Sequence, residues 1–280
     1  MMLWQHAHGS LEIGNRPVLM GILNITPDSF SDGGSHFRLG DALARAEEMA
    51  TAGAHILDVG GESTRPGATP VEEEEELRRV IPVIEAIHRR LPHMLISVDT
   101  YKARVALEAL KAGAAIVNDV SAGRWSPGML EVLSNSQAGY VAMHSLDRPD
   151  RMQLNVKYAD VVAEVYDFLA GLQTRLESAG INSDRLVFDA GIGFGKSPEH
   201  NLKLIAAHET WGKLGRPILW GISRKSFISK ILNVEPDDRL TGSLSLHARL
   251  LESGLPQIWR VHEVEEYAKF LDMWFRLDLH

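Results

Sequence analysis

Short apolar runs recur along the chain, and most of them turn polar at their C-terminal end. VLMGILN ends at Asn24, HILDVGGEST carries Asp58 and Glu62, LISVDT carries Asp99, and IVNDVS carries Asn118 and Asp119. Further on, YVAMHS ends at His144, LVFDAG carries Asp189, ILWGISRK runs into Arg224 and Lys225, and QIWRVHEV carries Arg260 and His262. Runs of this length, rich in β-branched residues, predict buried strands. Helical patterns separate them, and such alternation predicts a parallel sheet. Polar side chains at the ends of many successive strands converge only if the sheet is closed. The pattern therefore predicts an α/β fold, a (β/α)8 TIM barrel with its site at the C-terminal face. An open doubly wound sheet would gather functional residues at one switch point; here they spread along the whole chain.

The punctuation agrees. The first helix is expected from about Asp41, with Leu43, Ala46, Met49 and Ala50 on one face, ending near Gly53. Thr69 as N-cap, Pro70 behind it and Glu72 in the capping-box position predict the start of the second helix. The acidic run from Glu72 to Glu76 then reads as a solvated helix start. Ser126-Pro127 and Ser197-Pro198 repeat the cap-plus-proline signal. The long fifth helix would bury Val161, Val162, Val165, Leu169, Leu172 and Leu176. Glycines 53, 113 and 180 fall where helices end in the left-handed conformation. Before Pro17, LWQHA and SLEIG predict a short β-hairpin closing the barrel floor. No low-complexity linker divides the chain, so residues 1–280 read as a single domain.

Composition narrows the field. The chain has 280 residues and is 45% hydrophobic, enough for the roughly 250 residues of one barrel. A net charge of −8 argues against a nucleic-acid surface while leaving room for a local basic pocket. There is no cysteine, hence no disulfide framework or thiolate metal site, which fits a cytoplasmic protein. The N-terminus lacks the pattern of a signal peptide, and no apolar run approaches the roughly 20 residues of a membrane span.

Three sets of residues could carry chemistry. Asp99, Asn118 and Asp189 each follow a strand-like run; carboxylates and an amide around one pocket suit a flat heterocycle with several N–H donors. Arg224, Lys225, Arg260 and His262 lie on the last two strands. Ser223 is expected to cap a short helix there, and cations after strands seven and eight are a recurrent barrel phosphate site. Two loops, NITPDSFSDGG (24–34) and GGESTRPGA (60–68), hold Thr26, Asp28, Asp32, Thr64 and Arg65 and have the composition of mobile lids. AGIGFGKS (190–197) fails the Walker pattern at Ala190 and the dinucleotide spacing, leaving a glycine-rich turn. The histidines form no H-E-x-x-H zinc pattern, and His144 reads equally as a ligand or a satisfied buried histidine.

Taken together, MGILNITPDSFSDGG, ILDVGGESTRPGA, ISVDT, IVNDVS, FDAGIGFGK, GISRKSFI, GSLSLHA and RVHEV resemble the dihydropteroate synthase family, in the family's order and over most of the chain. The resemblance implies a barrel that joins 7,8-dihydropterin-6-ylmethyl diphosphate to 4-aminobenzoate, releasing pyrophosphate, in folate biosynthesis. It implies a pterin set of Asp99, Asn118, Asp189, Lys225 and Arg260 and a diphosphate set of Asn24, Arg65, Arg260 and His262, with Asn24 also holding Mg2+. It implies a 4-aminobenzoate and sulfonamide pocket of Thr64, Arg65, Pro66, Phe194 and Ser226, and catalytic roles for Asp32, Lys225, Arg260 and His262. Asp58 matches the family's second-strand acid. A homodimer and no nucleic-acid or membrane partner are also implied.

The implied chemistry is ionisation of the C–O bond to diphosphate, followed by capture of the carbocation by the arylamine. Two departures stand out. The family usually has MHMxGxP after the fifth strand, where this chain reads MHSLDRP, and GSLSLHARLLESG carries larger residues on the seventh outer helix. Two alternatives remain at this point. A pterin-dependent methyl transferase barrel would share the acidic-amide pocket without needing the phosphate set. A catalytically silent paralogue would bind pterin alone.

Overall fold

The computed structural model describes residues 1–25, 35–65 and 67–277. Among them an antiparallel hairpin, β1 (Met2–His6) and β2 (Gly9–Ile13), precedes eight parallel strands. These are β3 (Val18–Asn24), β4 (Ile56–Gly60), β5 (Leu95–Asp99), β6 (Ile116–Asp119), β7 (Gly139–Met143), β8 (Leu186–Asp189), β9 (Ile218–Trp220) and β10 (Gln257–Val261). β10 pairs with β3, which closes the barrel as predicted. The expected residues Thr26, Asp28, Asp32 and Pro66 lie outside the described residues.

Strand parity sorts the side chains. Val18, Met20, Ile56, Ile116, Val141, Val187, Leu219 and Ile258 point inward and fill the lower barrel. Leu19, Leu57, Val98, Val117, Tyr140, Phe188, Trp220 and Trp259 point outward into the layer packed under the helices. The hairpin plugs the floor, as expected. Trp4 and Ile13 are fully buried against the inward cluster, and the Trp4 indole donates to the Arg185 carbonyl at 2.8 Å.

Helices α1 (Ser35–Thr51), α2 (Glu73–Arg90), α3 (Ala103–Ala112), α4 (Met129–Ser134) and α5 (Val161–Ser178) follow the first five barrel strands. α6 (Pro198–Ala206), α7 (Ser226–Leu232), α8 (Arg239–Leu251) and α9 (Val264–Leu277) complete the ring. Ser197 is the expected N-cap with proline behind it and also forms a capping box with His200, and glycines 53, 113 and 180 take positive φ. Val162 of α5 is half-buried rather than buried.

Four local expectations fail for identifiable reasons. α1 starts at Ser35, a turn and a half before Asp41. α2 starts after Glu72, because Glu62 takes the Val71 N–H and holds Thr69 and Pro70 in the loop. Ser126 gives its hydroxyl oxygen to the Ala103 N–H of α3, and Gly128 is the N-cap of α4. The acidic start of α2 is not wholly solvated: Glu76 is buried and ion-paired with Lys102, which also binds Glu62.

Candidate active site

The inward parity that fills the floor with aliphatic side chains continues upward into polar ones. Asp58, Asn118, Asp189 and Arg260 stand two residues beyond the inward Ile56, Ile116, Val187 and Ile258, and Asp99 stands four beyond Leu95. One cavity at the C-terminal face is lined by Asp99, Asn118, Asp189, Lys225 and Arg260, with Thr64 and Phe194 at its side. Five expected pterin residues and two expected aminobenzoate residues therefore meet in one place. Val120, Met143, Ile192 and Gly221 complete the walls. Sequence reading passed over these four, although Met143 shares the inward parity of Val141.

Charge within this ring is tightly arranged. Arg260 donates from Nε to Asp58 and from Nη2 to Asp99, each at 2.6 Å. The same Asp58 oxygen accepts from the Asn118 amide at 3.0 Å. Burial raises the Asp99 carboxyl to about 7, with Arg260 opposing and Asp58 reinforcing the shift. Burial also raises Asp189, against the hydrogen bond it accepts from the Gly191 N–H at 2.7 Å. Lys225 stands over the Phe194 ring, 4.3 Å from its centroid. Burial and the nearby Arg260 lower its ammonium to about 8.

The cationic side is built by the turn after β9. Arg224 adopts a left-handed backbone with φ 56°, held by its N–H on Ser243 and its side chain on Glu263. Ser223 does not cap α7; Lys225 is the N-cap of that seven-residue helix. Ser223 is instead buried against His262 and Glu263. Burial, then Arg260, Arg224, Lys225 and Arg65, push His262 down to about 3. Arg65 is exposed on the loop after β4. Asn24 ends β3 half-buried, close to Gly60 and Asp99. Ser226 is exposed and lines an adjoining cleft with Gln153, Gly193 and Lys230, not the cavity of Phe194.

Two strand-end residues leave the ring. His144 has the outward parity of Tyr140 and Ala142; its Nδ1 lies 2.9 Å from Lys196 Nζ and its ring packs edge-on against Phe168. Asp119 is buried on Tyr140 and the N–H groups of Ser121 and Gly123. The MHSLDRP segment forms an ordered bridge: Pro149 accepts from the Gly67 N–H at 3.1 Å, and Arg148 lies over Tyr101 and Trp125. Among the described residues no group of three or more His, Asp or Glu side chains could hold a metal ion by itself.

Residues 20–262 match the family model described as pterin binding enzyme. The dihydropteroate synthase of Escherichia coli (strain K12) is 48% identical over 257 residues, which is 92% of this chain and 90% of the relative. A crystal structure of the Yersinia pestis dihydropteroate synthase with a sulfonamide drug complex superimposes with a TM-score of 0.91 at 40% identity, covering 100% of both chains. The Xanthomonas albilineans dihydropteroate synthase with 4-aminobenzoic acid gives 0.87 at 43% identity, covering 95% of this chain and 94% of the other.

Proposed function

The chain belongs to the dihydropteroate synthase family of pterin binding enzymes, and from that premise we propose how its residues divide the reaction. It is a transferase that condenses 7,8-dihydropterin-6-ylmethyl diphosphate with 4-aminobenzoate to give 7,8-dihydropteroate and pyrophosphate, in folate biosynthesis. The named relatives are synthases, which sets the methyl transferase alternative aside.

The observation that carries the residue assignment is the single cavity shared by Asp99, Asn118, Asp189, Lys225 and Arg260. In this reading Asp99, Asn118 and Asp189 accept hydrogen bonds from the N–H edge of the pterin, and Lys225 donates to it. Arg260 lies against the heterocycle and, with His262, Arg65 and Asn24, holds the diphosphate. Charge that develops on the departing diphosphate is then met by fixed donors that need no reorganisation. Thr64, Phe194 and, from the adjoining cleft, Ser226 would hold 4-aminobenzoate, and sulfonamides would compete for that place. The arylamine nitrogen captures the carbocation and loses its proton.

Mg2+ fits the site by donor chemistry. Asn24 offers one hard amide oxygen, Oδ1, 3.7 Å from where a Cβ on Gly60 would stand, and Mg2+ takes oxygen ligands while keeping several waters and sharing substrate phosphates. When bound it would neutralise leaving-group charge. Asp32, expected to order the first lid or accept the amine proton, lies outside the described residues.

The assay uses purified protein, the pterin diphosphate, 4-aminobenzoate and Mg2+, following pyrophosphate and dihydropteroate together. Product from both channels is expected; pterin binding without product would leave a silent paralogue. Among the described residues no helix is long and apolar enough to cross a membrane. We place the enzyme in the cytoplasm by its likeness to the bacterial dihydropteroate synthases. Residues 1–280 are taken as one domain. A homodimer is supported by exposed Leu202, Ile231 and Leu232 on the mutually packed α6 and α7. Light scattering at twice the 31.0 kDa chain mass is expected.

A further inference from the structure

We propose that Glu263, Ser223 and His262 form a hydrogen-bond relay that keeps Nδ1 protonated, so that His262 takes up a solvent proton at Nε2 as diphosphate binds and passes it to the departing diphosphate oxygen. The proposal rests on the diphosphate reading of His262 given above.

The geometry fixes the direction of the relay. Ser223 Oγ lies 3.0 Å from His262 Nδ1 and 3.2 Å from Glu263 Oε2, and it accepts the His262 backbone N–H at 3.3 Å. A hydroxyl has one proton to give and two positions at which to accept. An ionised carboxylate can only accept, so the Ser223 proton points to Glu263. The backbone N–H fills one acceptor position of Ser223, and Nδ1 faces the other. Nδ1 therefore carries a hydrogen, and the carboxylate, the backbone N–H and the imidazole each meet their complement on Ser223; the Tyr267 hydroxyl, which also approaches Ser223, has His247 Nδ1 as a partner at 3.1 Å. The reverse assignment would set the carboxylate against a bare lone pair.

A neutral ring with its proton on Nδ1 has a lone pair on Nε2, the wrong complement for a phosphate oxygen. The groups facing His262 account for its neutrality. Arg260 lies on its own strand, Arg224 and Lys225 come from the turn after β9, and Arg65 comes from the loop after β4, all cationic. Glu263, one residue on, is the opposing anion, with Oε2 on Ser223 and Oε1 on Arg224. A diphosphate brings several negative charges among those cations and reverses the local field. The imidazolium that forms keeps its Nδ1–H on Ser223 and, through it, the Glu263 charge. A carboxylate that orients and supports a catalytic histidine works by the same logic in hydrolase triads. When the C–O bond breaks, its electron pair goes to the diphosphate oxygen. The Nε2 proton follows it, and His262 returns to the neutral Nδ1–H form. His262 is the catalytic residue of this step, and Ser223 and Glu263 are positioning residues.

The test is nitrogen-15 histidine NMR on the whole protein at constant Mg2+, with and without saturating inorganic pyrophosphate near neutral pH. The His262 signals are assigned by their loss in His262→Asn. The free enzyme should show a neutral ring protonated at Nδ1, and the complex an imidazolium. Glu263→Gln and Ser223→Ala should bind pyrophosphate more weakly and lose the imidazolium pattern. Arg224→Met breaks the other Glu263 contact and should keep it. A neutral His262 in the wild-type complex overturns the relay, and so does an imidazolium that survives in both Glu263→Gln and Ser223→Ala, or one lost in Arg224→Met. Wild-type protein that binds no pyrophosphate overturns the diphosphate reading itself.

Discussion

Asp58 holds Arg260 in place: one fully buried carboxylate oxygen accepts the guanidinium Nε–H at 2.6 Å and, on its other side, the Asn118 amide at 3.0 Å. A residue whose role the family pattern left open thus joins the cationic and acidic-amide halves of the cavity. Asp58→Ala removes both anchors and leaves a largely buried guanidinium paired with Asp99 alone. Breaking a buried pair in this way costs about 3–5 kcal/mol. Denaturant unfolding should show that loss. Asp58→Asn should restore most of the stability while turnover stays low, because an amide oxygen fixes Arg260 less firmly than a carboxylate. Wild-type turnover in Asp58→Asn would mean that Arg260 needs no such anchor.

Arg260→Ala removes a donor aimed at the departing diphosphate. By analogy with loss of one oxyanion donor, the transition state loses about 2.7–4 kcal/mol, so kcat drops roughly 10²–10³-fold. Steady-state kinetics at saturating substrates would check it, and unchanged kcat would remove Arg260 from the chemical step.

Asp99 sets a pH limit on pterin binding. Burial raises its carboxyl to about 7 in the free protein, and an ionised carboxylate is the form that accepts two N–H donors. Below that value the site is increasingly protonated, so affinity falls as pH falls, by up to about tenfold per unit. Above it, affinity levels off. Calorimetric titration with the pterin diphosphate from acid to mildly alkaline pH should trace this limb. Asp99→Asn should flatten it at low affinity.

The barrel and most of its ring were legible because one rule, strand parity, decides both core and site. Ile56 and Asp58, Ile116 and Asn118, and Ile258 and Arg260 are adjacent rungs of one inward ladder. His144 was ambiguous because its run, YVAMHS, is apolar on both parities; the outward one is marked only by Tyr140 and Ala142, which pack under the helices. The N-caps at Thr69, Ser126 and Ser223 misled for a different reason. Local cap chemistry was present, but distant partners took those positions: Glu62 held the loop before α2, α3 took Ser126, and His262 and Glu263 took Ser223. Contacts 39 and 40 residues apart leave no periodic signal.

Glu62 anchors the loop that carries Thr64 and Arg65. It accepts from the Tyr101 hydroxyl at 3.0 Å, from Lys102 at 2.5 Å and from the Val71 N–H at 3.1 Å. Glu62→Gln keeps the shape but removes the charge opposite Lys102, leaving Glu76 as that ammonium's carboxylate. The loop should loosen, so KM for 4-aminobenzoate rises several-fold more than KM for the pterin diphosphate. Equal changes in both would place the effect in the barrel rather than the loop.

Trp4 gives the contrasting case, a residue that matters for stability and not for chemistry. Its indole is fully buried at the floor of the barrel, against Gly139, where an added Cβ would stand 3.1 Å from the ring. The Nε1–H satisfies the Arg185 carbonyl, and the Arg185 guanidinium in turn ties down the carbonyls of Ala138 and Leu133. Trp4→Ala opens a cavity and strands that carbonyl, a loss of about 3–5 kcal/mol. The site lies at the opposite end of the strands, joined to the floor through continuous β-ladders. Thermal and denaturant unfolding should therefore shift strongly, while kcat and both KM values, measured well below the lowered melting point, stay near wild type. A parallel fall in kcat would show that the hairpin sets the registration of the polar ring above it. Trp4→Phe separates the two contributions, since it keeps most of the buried ring and loses the indole hydrogen bond, for which about 1 kcal/mol is expected.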